Sequence, residues 1–353
     1  MWNELVATDN LFRAYKKASK GRRSRNDVAT FEFNLEENIF ELQDELQSGR
    51  YQHGDYHSFS IHDPKKRLIS AANFRDRIVH HALVSVLEPE YEKQFSGNSY
   101  ANRLGKGTHK AVVSCKKMMK KFPYYLFMDV KQFFPSVDHQ CLVEELSKLV
   151  TDEKILDLSK MILISGEKVL ENEYDMVWFE GDDLFAKFRP RGLPIGNMTS
   201  QFWANVYLNP LDQLLTNEIK TENWLRYVDD MVVFSDSKSK LHKIREEVIK
   251  FLATIRLRIH EGFAQPTPVS QGLTFLGFRI FPTHIRLKQS KLQNGNRKLM
   301  KSKEALEQGK VSQDFFNMQI RSWLNHVSQA DSWYLRNEVL KRLNLSVWQE
   351  EIY

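Results

Sequence analysis

Apolar residues recur along this chain with two periods, and the switches between them mark out its elements. Over 33–48, Leu35, Ile39, Leu42 and Leu46 follow Asn34 at helical spacing, which predicts an amphipathic helix with Asn34 as its N-cap. Ile78, Val79, Ala82, Leu83 and Val86 predict a second helix over 75–87. Tyr124-Tyr125-Leu126-Phe127-Met128 is instead a short, aromatic-rich apolar run after Pro123, the pattern of a buried strand. The runs 224–227 and 231–234 flank two aspartates and predict a hairpin. Leu273 to Phe281 predicts a further strand pair broken at Gly277. From about 290 onward Trp323, Leu324, Val327, Leu335, Val339 and Leu340 predict an all-helical C-terminal domain, with the turn Pro282-Thr283-His284 as its boundary.

Length and composition narrow the classes. The 353 residues suffice for two or three domains with a buried core, and no internal repeat or low-complexity stretch interrupts them. No apolar run approaches the roughly 18–20 residues that cross a bilayer, and the start Met1-Trp2-Asn3-Glu4 lacks a signal peptide's basic region, so a cytoplasmic protein is expected. Two cysteines, Cys115 and Cys141, are too few for a disulfide framework or a cysteine-based zinc module. The net charge of +6 is modest, but its distribution is not even. Residues 1–25 carry seven bases against two acids, 103–121 seven against none and 286–310 eight against two, whereas 151–183 carries ten acids and three lysines. Three separated basic tracts suit a surface that follows a polyanion, and solvated helix faces give the same pattern.

The carboxylates carry the candidate chemistry. Asp129 ends the first strand and Asp229-Asp230 sit at the hairpin tip. Hairpin turns usually run Asn-Gly or Asp-Gly; two carboxylates without glycine crowd like charge between hydrophobic strands. A bound cation relieves that repulsion, and Mg²⁺ prefers hard oxygen ligands while leaving room for substrate phosphates. A structural turn and a metal site both remain open on these residues alone.

Six ordered motifs take the reading further. Lys66-Arg67-Leu68 with Phe74-Arg75-Asp76-Arg77-Ile78-Val79, Asn98-Ser99-Tyr100 through Gly105-Lys106-Gly107-Thr108-His109, the run from Phe127 to Phe134, Gly192 to Gln201, Tyr227-Val228-Asp229-Asp230 and Phe275-Leu276-Gly277-Phe278 together resemble the reverse transcriptases. The resemblance covers about 35–335. Ile195-Gly196-Asn197-Met198-Thr199-Ser200-Gln201, with Phe278 to His284, is most similar to the enzymes of diversity-generating retroelements. The resemblance implies an α+β right-hand polymerase fold with fingers, a palm whose antiparallel sheet is backed by helices, and a helical thumb. It divides the chain into a basic helical extension (1–55), fingers (56–122), palm (123–283, with about 151–200 contributing to the fingers) and thumb (284–353). With some 70 residues after Pro282, no endonuclease or maturase extension is expected.

The implied activity is RNA-directed DNA synthesis from dNTPs in a bacterial or phage-encoded system. By the resemblance, Asp129, Asp229 and Asp230, with the carbonyl of Val130, hold two Mg²⁺, for which Mn²⁺ can substitute. Lys66, Arg67 and Arg75 face the triphosphate, with Lys65 able to replace Lys66 and Arg77 instead paired with Asp76 or another acid. Phe134 excludes the ribose 2′-hydroxyl, while Phe133 turns into the core on the opposite face of a continuing strand. Ile195, Gln201 and Tyr227 belong to the same nucleotide-binding surface. Ile195 stands where relatives carry a polar side chain, and loss of that contact implies error-prone copying, with template adenine the miscopied base. His260 is a candidate proton donor to pyrophosphate or a plain surface histidine, and is not counted in the site. The partners implied are a template RNA, the RNA–cDNA duplex and a small basic helical accessory protein, with no membrane. The alternatives are an antiphage-defence or retron reverse transcriptase, a non-catalytic RNA-binding module on the same fold, and a single-metal nuclease.

Overall fold

The computed structural model describes residues 1–62 and 66–344. Four helices open the chain: α1 (Trp2–Leu5), α2 (Thr8–Ser19), α3 (Asn26–Phe33) and α4 (Leu35–Ser48). The last confirms the first amphipathic pattern. Glu36 and Glu37 lie in its first turn, where the helix dipole favours acids, and Gly49 ends it at φ 74°, a left-handed cap that only glycine adopts without strain. Asn34 occupies the N-cap, although its side chain makes no cap bond. Strands β1 (Tyr56–His62) and β2 (Lys66–Ala72) form an antiparallel hairpin. After it come α5 (Phe74–Glu92), α6 (Thr108–Lys121), β3 (Tyr124–Asp129), α7 (Phe133–Ser136), α8 (His139–Ser147), α9 (Glu153–Gly166) and α10 (Met198–Gln213).

The chain continues through β4 (Trp224–Tyr227), β5 (Asp230–Ser235), α11 (Lys238–Thr254), β6 (Thr267–Pro268), β7 (Leu273–Phe275), β8 (Phe278–Ile280), β9 (Ile285–Leu287), α12 (Gln289–Glu307), α13 (Gln313–Val327) and α14 (Trp333–Arg342). A four-stranded antiparallel sheet, ordered β4-β5-β3-β6, occupies the centre. Its strands alternate between two cores. Leu126, Met128, Met231 and Val233 face a large cluster that includes α5 and α10, whereas Tyr125, Val232 and Phe234 face a second one containing Cys115 and Met119 of α6 and Phe275 of β7. Burial on both faces is why β3 reads as an unbroken apolar run rather than an alternating one. Burying one such side chain is worth about 1.5–3 kcal/mol.

Three details add to what the sequence pattern predicts. In the N-terminal helices Leu11, Ala14, Ile39 and Leu42 share the large cluster with α5 and α10. The turn at Pro282 joins β8 to β9, which pair antiparallel, so the C-terminal helices begin only at Gln289. Those helices do keep a core of their own, including Phe316, Ile320, Leu324 and Leu340. Finally, Phe133 and Phe134 do not continue a strand. Gln132 takes φ 49° and a short helix follows, held by Gln132 side-chain bonds to the Glu173 carbonyl and the Asp175 N–H.

A buried polar chain fastens the root of the β1–β2 hairpin to α5 and α10. Tyr51 donates to Asp76 Oδ1 at 2.8 Å, and the Gly54 N–H to Oδ2 at 3.0 Å. His53 Nδ1 lies 2.6 Å from the Gly54 carbonyl, its Nε2 lies 3.0 Å from His80 Nε2, and His80 Nδ1 lies 3.2 Å from Thr199 Oγ1. Burial favours a neutral His80, and the contacts are then satisfied with His53 donating from Nδ1 to the Gly54 carbonyl, His80 donating from Nε2 to His53 and Thr199 donating to His80.

Candidate metal and nucleotide site

The register of the central sheet sets Asp129 directly opposite Asp230, at the end where β4 turns into β5. The turn is two residues long, Val228 and Asp229. Val228 has φ 56°. A β-branched residue avoids this left-handed region, at a cost of about 1–2 kcal/mol. The Val130 N–H meets the Asp229 carbonyl at 3.3 Å, which ties the turn across to β3. Asp129, Val130, Asp229, Asp230 and Tyr227 are therefore gathered at one sheet end. The Tyr227 hydroxyl lies 3.0 Å from Thr108 Oγ1 at the start of α6.

Burial first, and then the charge of Asp129, push the half-buried Asp229 carboxyl up to about 6, against a backbone hydrogen bond and the charges of Arg67 and Arg226. Arg67 of β2 is thus within electrostatic reach of the turn, although it comes from a different sheet. Among the described residues no three His, Cys, Asp or Glu side chains form a ready-made metal cage. The crowded, oxygen-only donor set nevertheless fits Mg²⁺, which takes one or two carboxylates and fills its remaining positions with water and substrate phosphates.

The Gly192–Gln201 block docks on β2. The Ser70 N–H donates to the Ile195 carbonyl at 2.8 Å, and the buried Asn197 amide donates to the Ser70 carbonyl at 2.8 Å while accepting from the Ala72 N–H at 2.9 Å. Gly196, at φ 120°, sits so close that a Cβ there would lie 3.0 Å from Ile69 Cγ2. Ile195 is consequently half-buried beside the strand that carries Lys66 and Arg67, with Gln201 also half-buried in the first turns of α10. Lys66 is exposed opposite His62, and Lys65 lies outside the described residues. Phe134 is half-buried, its carbonyl accepting from the Leu193 N–H at 2.9 Å, and its ring meets the buried Phe133 edge-on at 5.3 Å. Phe133 is buried in the core as expected, and a helical turn rather than a strand carries it and Phe134.

Two arginines depart from expectation. The Arg75 guanidinium is engaged by Glu45 of α4 and stacks over Tyr51, 5.3 Å from the ring centroid, so a role on a triphosphate requires it to leave the carboxylate. Arg77 is not paired with Asp76, whose oxygens serve Tyr51 and Gly54; its Nε is buried without a partner, and burial next to Arg22 and Arg25 lowers it to about 10. Arg103 of the second basic tract is spent internally, on Glu92 at 2.8 Å and on backbone carbonyls. His260 proves closer to the site than its sequence position suggests, since its backbone N–H donates to the Asp129 carbonyl at 2.9 Å. Sequence reading missed Asn197 and Arg226 as supports of the site. The available signal was a polar side chain inside an apolar run, as with Arg226 between Leu225 and Tyr227.

Comparison with known proteins agrees with this geometry. The family described as reverse transcriptase (RNA-dependent DNA polymerase) matches residues 61–280. The protein YkfC of Escherichia coli is 25% identical over 287 residues, covering 69% of this chain and 71% of that protein. The group II intron-encoded protein LtrA of Lactococcus lactis is 24% identical over 222 residues, 61% of this chain but only 35% of LtrA. Among solved structures, apo telomerase from Candida tropicalis superposes with a TM-score of 0.51 at 12% identity, over 84% of this chain and 59% of that one. The fold is the right hand of the polymerases, with mixed helices and antiparallel sheet.

Proposed function

This chain belongs to the reverse transcriptase family, and we propose that it is an active RNA-directed DNA polymerase that extends a primer with dNTPs along an RNA template. The observation that carries the reading is Asp129 opposite Asp230, with Asp229 in the turn and the Arg67 charge in reach. Asp129, Asp229, Asp230 and the Val130 carbonyl would hold two Mg²⁺, or Mn²⁺ in their place. When bound, these ions supply Lewis acidity and neutralise phosphate charge during in-line displacement. The chain's own residues orient the reactants. Arg67 and Lys66 face the triphosphate from β2, Tyr227 and Gln201 border the nucleotide, and Phe134 closes the space a ribose 2′-hydroxyl needs. Arg75 joins them only in a closed complex, after exchanging Glu45 for phosphate. The primer 3′-hydroxyl attacks the α-phosphorus and pyrophosphate leaves.

The finer reading is a mutagenic enzyme of a diversity-generating retroelement, acting with a dedicated template RNA and a small basic accessory protein. Ile195 supports it. Its carbonyl is held by Ser70, so it stands at a fixed place beside the fingers strand, where it offers shape but no hydrogen bond. In this reading residues 56–122 act as fingers, 123–283 as palm and 284–353 as thumb, with 1–55 packed behind the fingers.

Primer extension on an RNA template, with the cDNA sequenced, tests both levels. Asp229→Asn should lower extension at least about 1,000-fold, since it removes charge from the transition state. A variant that extends like the wild type overturns the polymerase reading. Ile195→Gln should reduce errors opposite adenine, and an unchanged error spectrum overturns the mutagenic one.

A further inference from the structure

We infer that Arg226 and Asp212, which touch no reacting atom, form a positioning pair that holds the Val228–Asp229 turn in the shape its carboxylate needs. The inference rests on the polymerase reading of that turn. Arg226 is 1% exposed and Asp212 fully buried. Nε reaches Oδ1 at 2.7 Å and Nη2 reaches Oδ2 at 2.6 Å, a bidentate fork. The remaining nitrogen, Nη1, donates to the Val228 carbonyl at 3.0 Å and to Asn205 Oδ1 at 3.4 Å. Every arm of the guanidinium is thus used, and one arm grips the residue held at positive φ.

Stability alone does not account for such a pair. Taking two charges out of water costs about as much as their attraction returns, and packed apolar residues often do as well or better. What an apolar pair cannot supply is a charge-assisted donor aimed at one carbonyl. The Val228 carbonyl belongs to the peptide plane that leads into Asp229, so its direction sets where the Asp229 side chain departs. The rest of Arg226 is fixed as well: its N–H donates to the Asn98 carbonyl and its carbonyl accepts from the Tyr100 N–H, both at 2.9 Å. Asp212 and Asn205 both stand on α10, whose first turn is the end of the block that docks on β2. One buried helix thereby sets Ile195 at its start and the metal-site turn near its end.

The test uses the full chain with Arg226→Lys, which keeps the charge and loses the fork. We expect a folded protein in which kcat for single-nucleotide addition falls about 100-fold, the KM for dNTP stays within about twofold, and the Mg²⁺ concentration for half-maximal rate rises about tenfold. Loss of packing alone does not shift the Mg²⁺ requirement of the protein that remains folded. Asp212→Asn, nearly isosteric, should move the same quantities in the same direction. Unchanged kcat and Mg²⁺ requirement in a folded variant overturn the inference. Failure of both variants to fold overturns it too, by making the pair a stability element. Mn²⁺ binding followed by electron paramagnetic resonance separates this from the function itself. If the wild-type chain binds Mn²⁺ but extends no primer, the polymerase reading fails, and weaker Mn²⁺ binding by Arg226→Lys still upholds the positioning role.

Discussion

Asp229 is where burial, charge and chemistry meet most closely. Its carboxyl is pushed up to about 6 by burial and then by Asp129, so in the metal-free chain it takes up a proton as the pH falls through that value. A divalent cation and that proton compete for the same oxygens. The Mg²⁺ concentration for half-maximal primer extension should therefore rise about tenfold per pH unit below 6, and the acid limb of the rate profile should move to lower pH as Mg²⁺ is raised. Steady-state rates over pH 5–8 at several Mg²⁺ concentrations check this. A limb that stays fixed at all Mg²⁺ concentrations would assign the titration to some other group. The preceding residue sharpens the point: valine at φ 56° is a poor choice for a turn unless its neighbours define it, and Arg226 and Val130 both do.

Between elements, the critical joint is the one that seats the Gly192–Gln201 block on β2. Gly196 makes it possible, because its φ of 120° is almost closed to other residues and a Cβ would press on Ile69 Cγ2. Gly196→Ala should lower stability by about 1–3 kcal/mol in urea unfolding, with no loss of stability as the outcome that removes the joint from the account. The elements themselves were largely legible before any coordinates. The spacing of Leu35 to Leu46, the apolar run 124–128 and the two runs around Asp229-Asp230 are local signals, and they became α4, β3 and the β4–β5 hairpin. The positions of the three aspartates, one at a strand end and two at a hairpin tip, were local signals too, whereas their grouping depends on the long-range pairing of β3 with β5 and was expected only from the resemblance. Other features were closed to the sequence because they depend on long-range partners. Arg226 finds Asp212 across two elements, Gln132 turns left-handed to reach Glu173 and Asp175, and Arg75 finds Glu45 on a helix that the sequence placed in a separate extension. The same limit hid β9, a three-residue strand defined by its pairing with β8 and by the bonds of Ile285 to Asp331.

Across the whole molecule, no described helix is long and apolar enough to cross a membrane, and what the fold gathers at its centre is titratable. His80 is buried in the chain from His53 to Thr199, and burial holds its pKa well below 6.5. His81 is lowered to about 4 and His139 is also lowered, in each case chiefly by burial. The sign follows from proton counts. Between the unfolded value of 6.5 and the depressed folded value, the unfolded chain binds a proton at His80 that the folded chain refuses. The stability carried by neutral His80 is thus complete above about pH 6.5 and is lost on acidification, at up to about 1.4 kcal/mol per pH unit. His81 and His139 act in the same direction. Asp229 acts against them, because its folded pKa is raised and acid relieves its burial. Urea unfolding at pH 7.5 and 5.5 should show a less stable protein at the lower pH. Replacing His80 with Gln isolates its share: the variant loses stability at both pH values, through the broken link to Thr199, but its pH slope is shallower than that of the wild type. An equally steep slope in the folded variant would mean that the chain from Tyr51 to Thr199 fastens the hairpin without making it sensitive to acid.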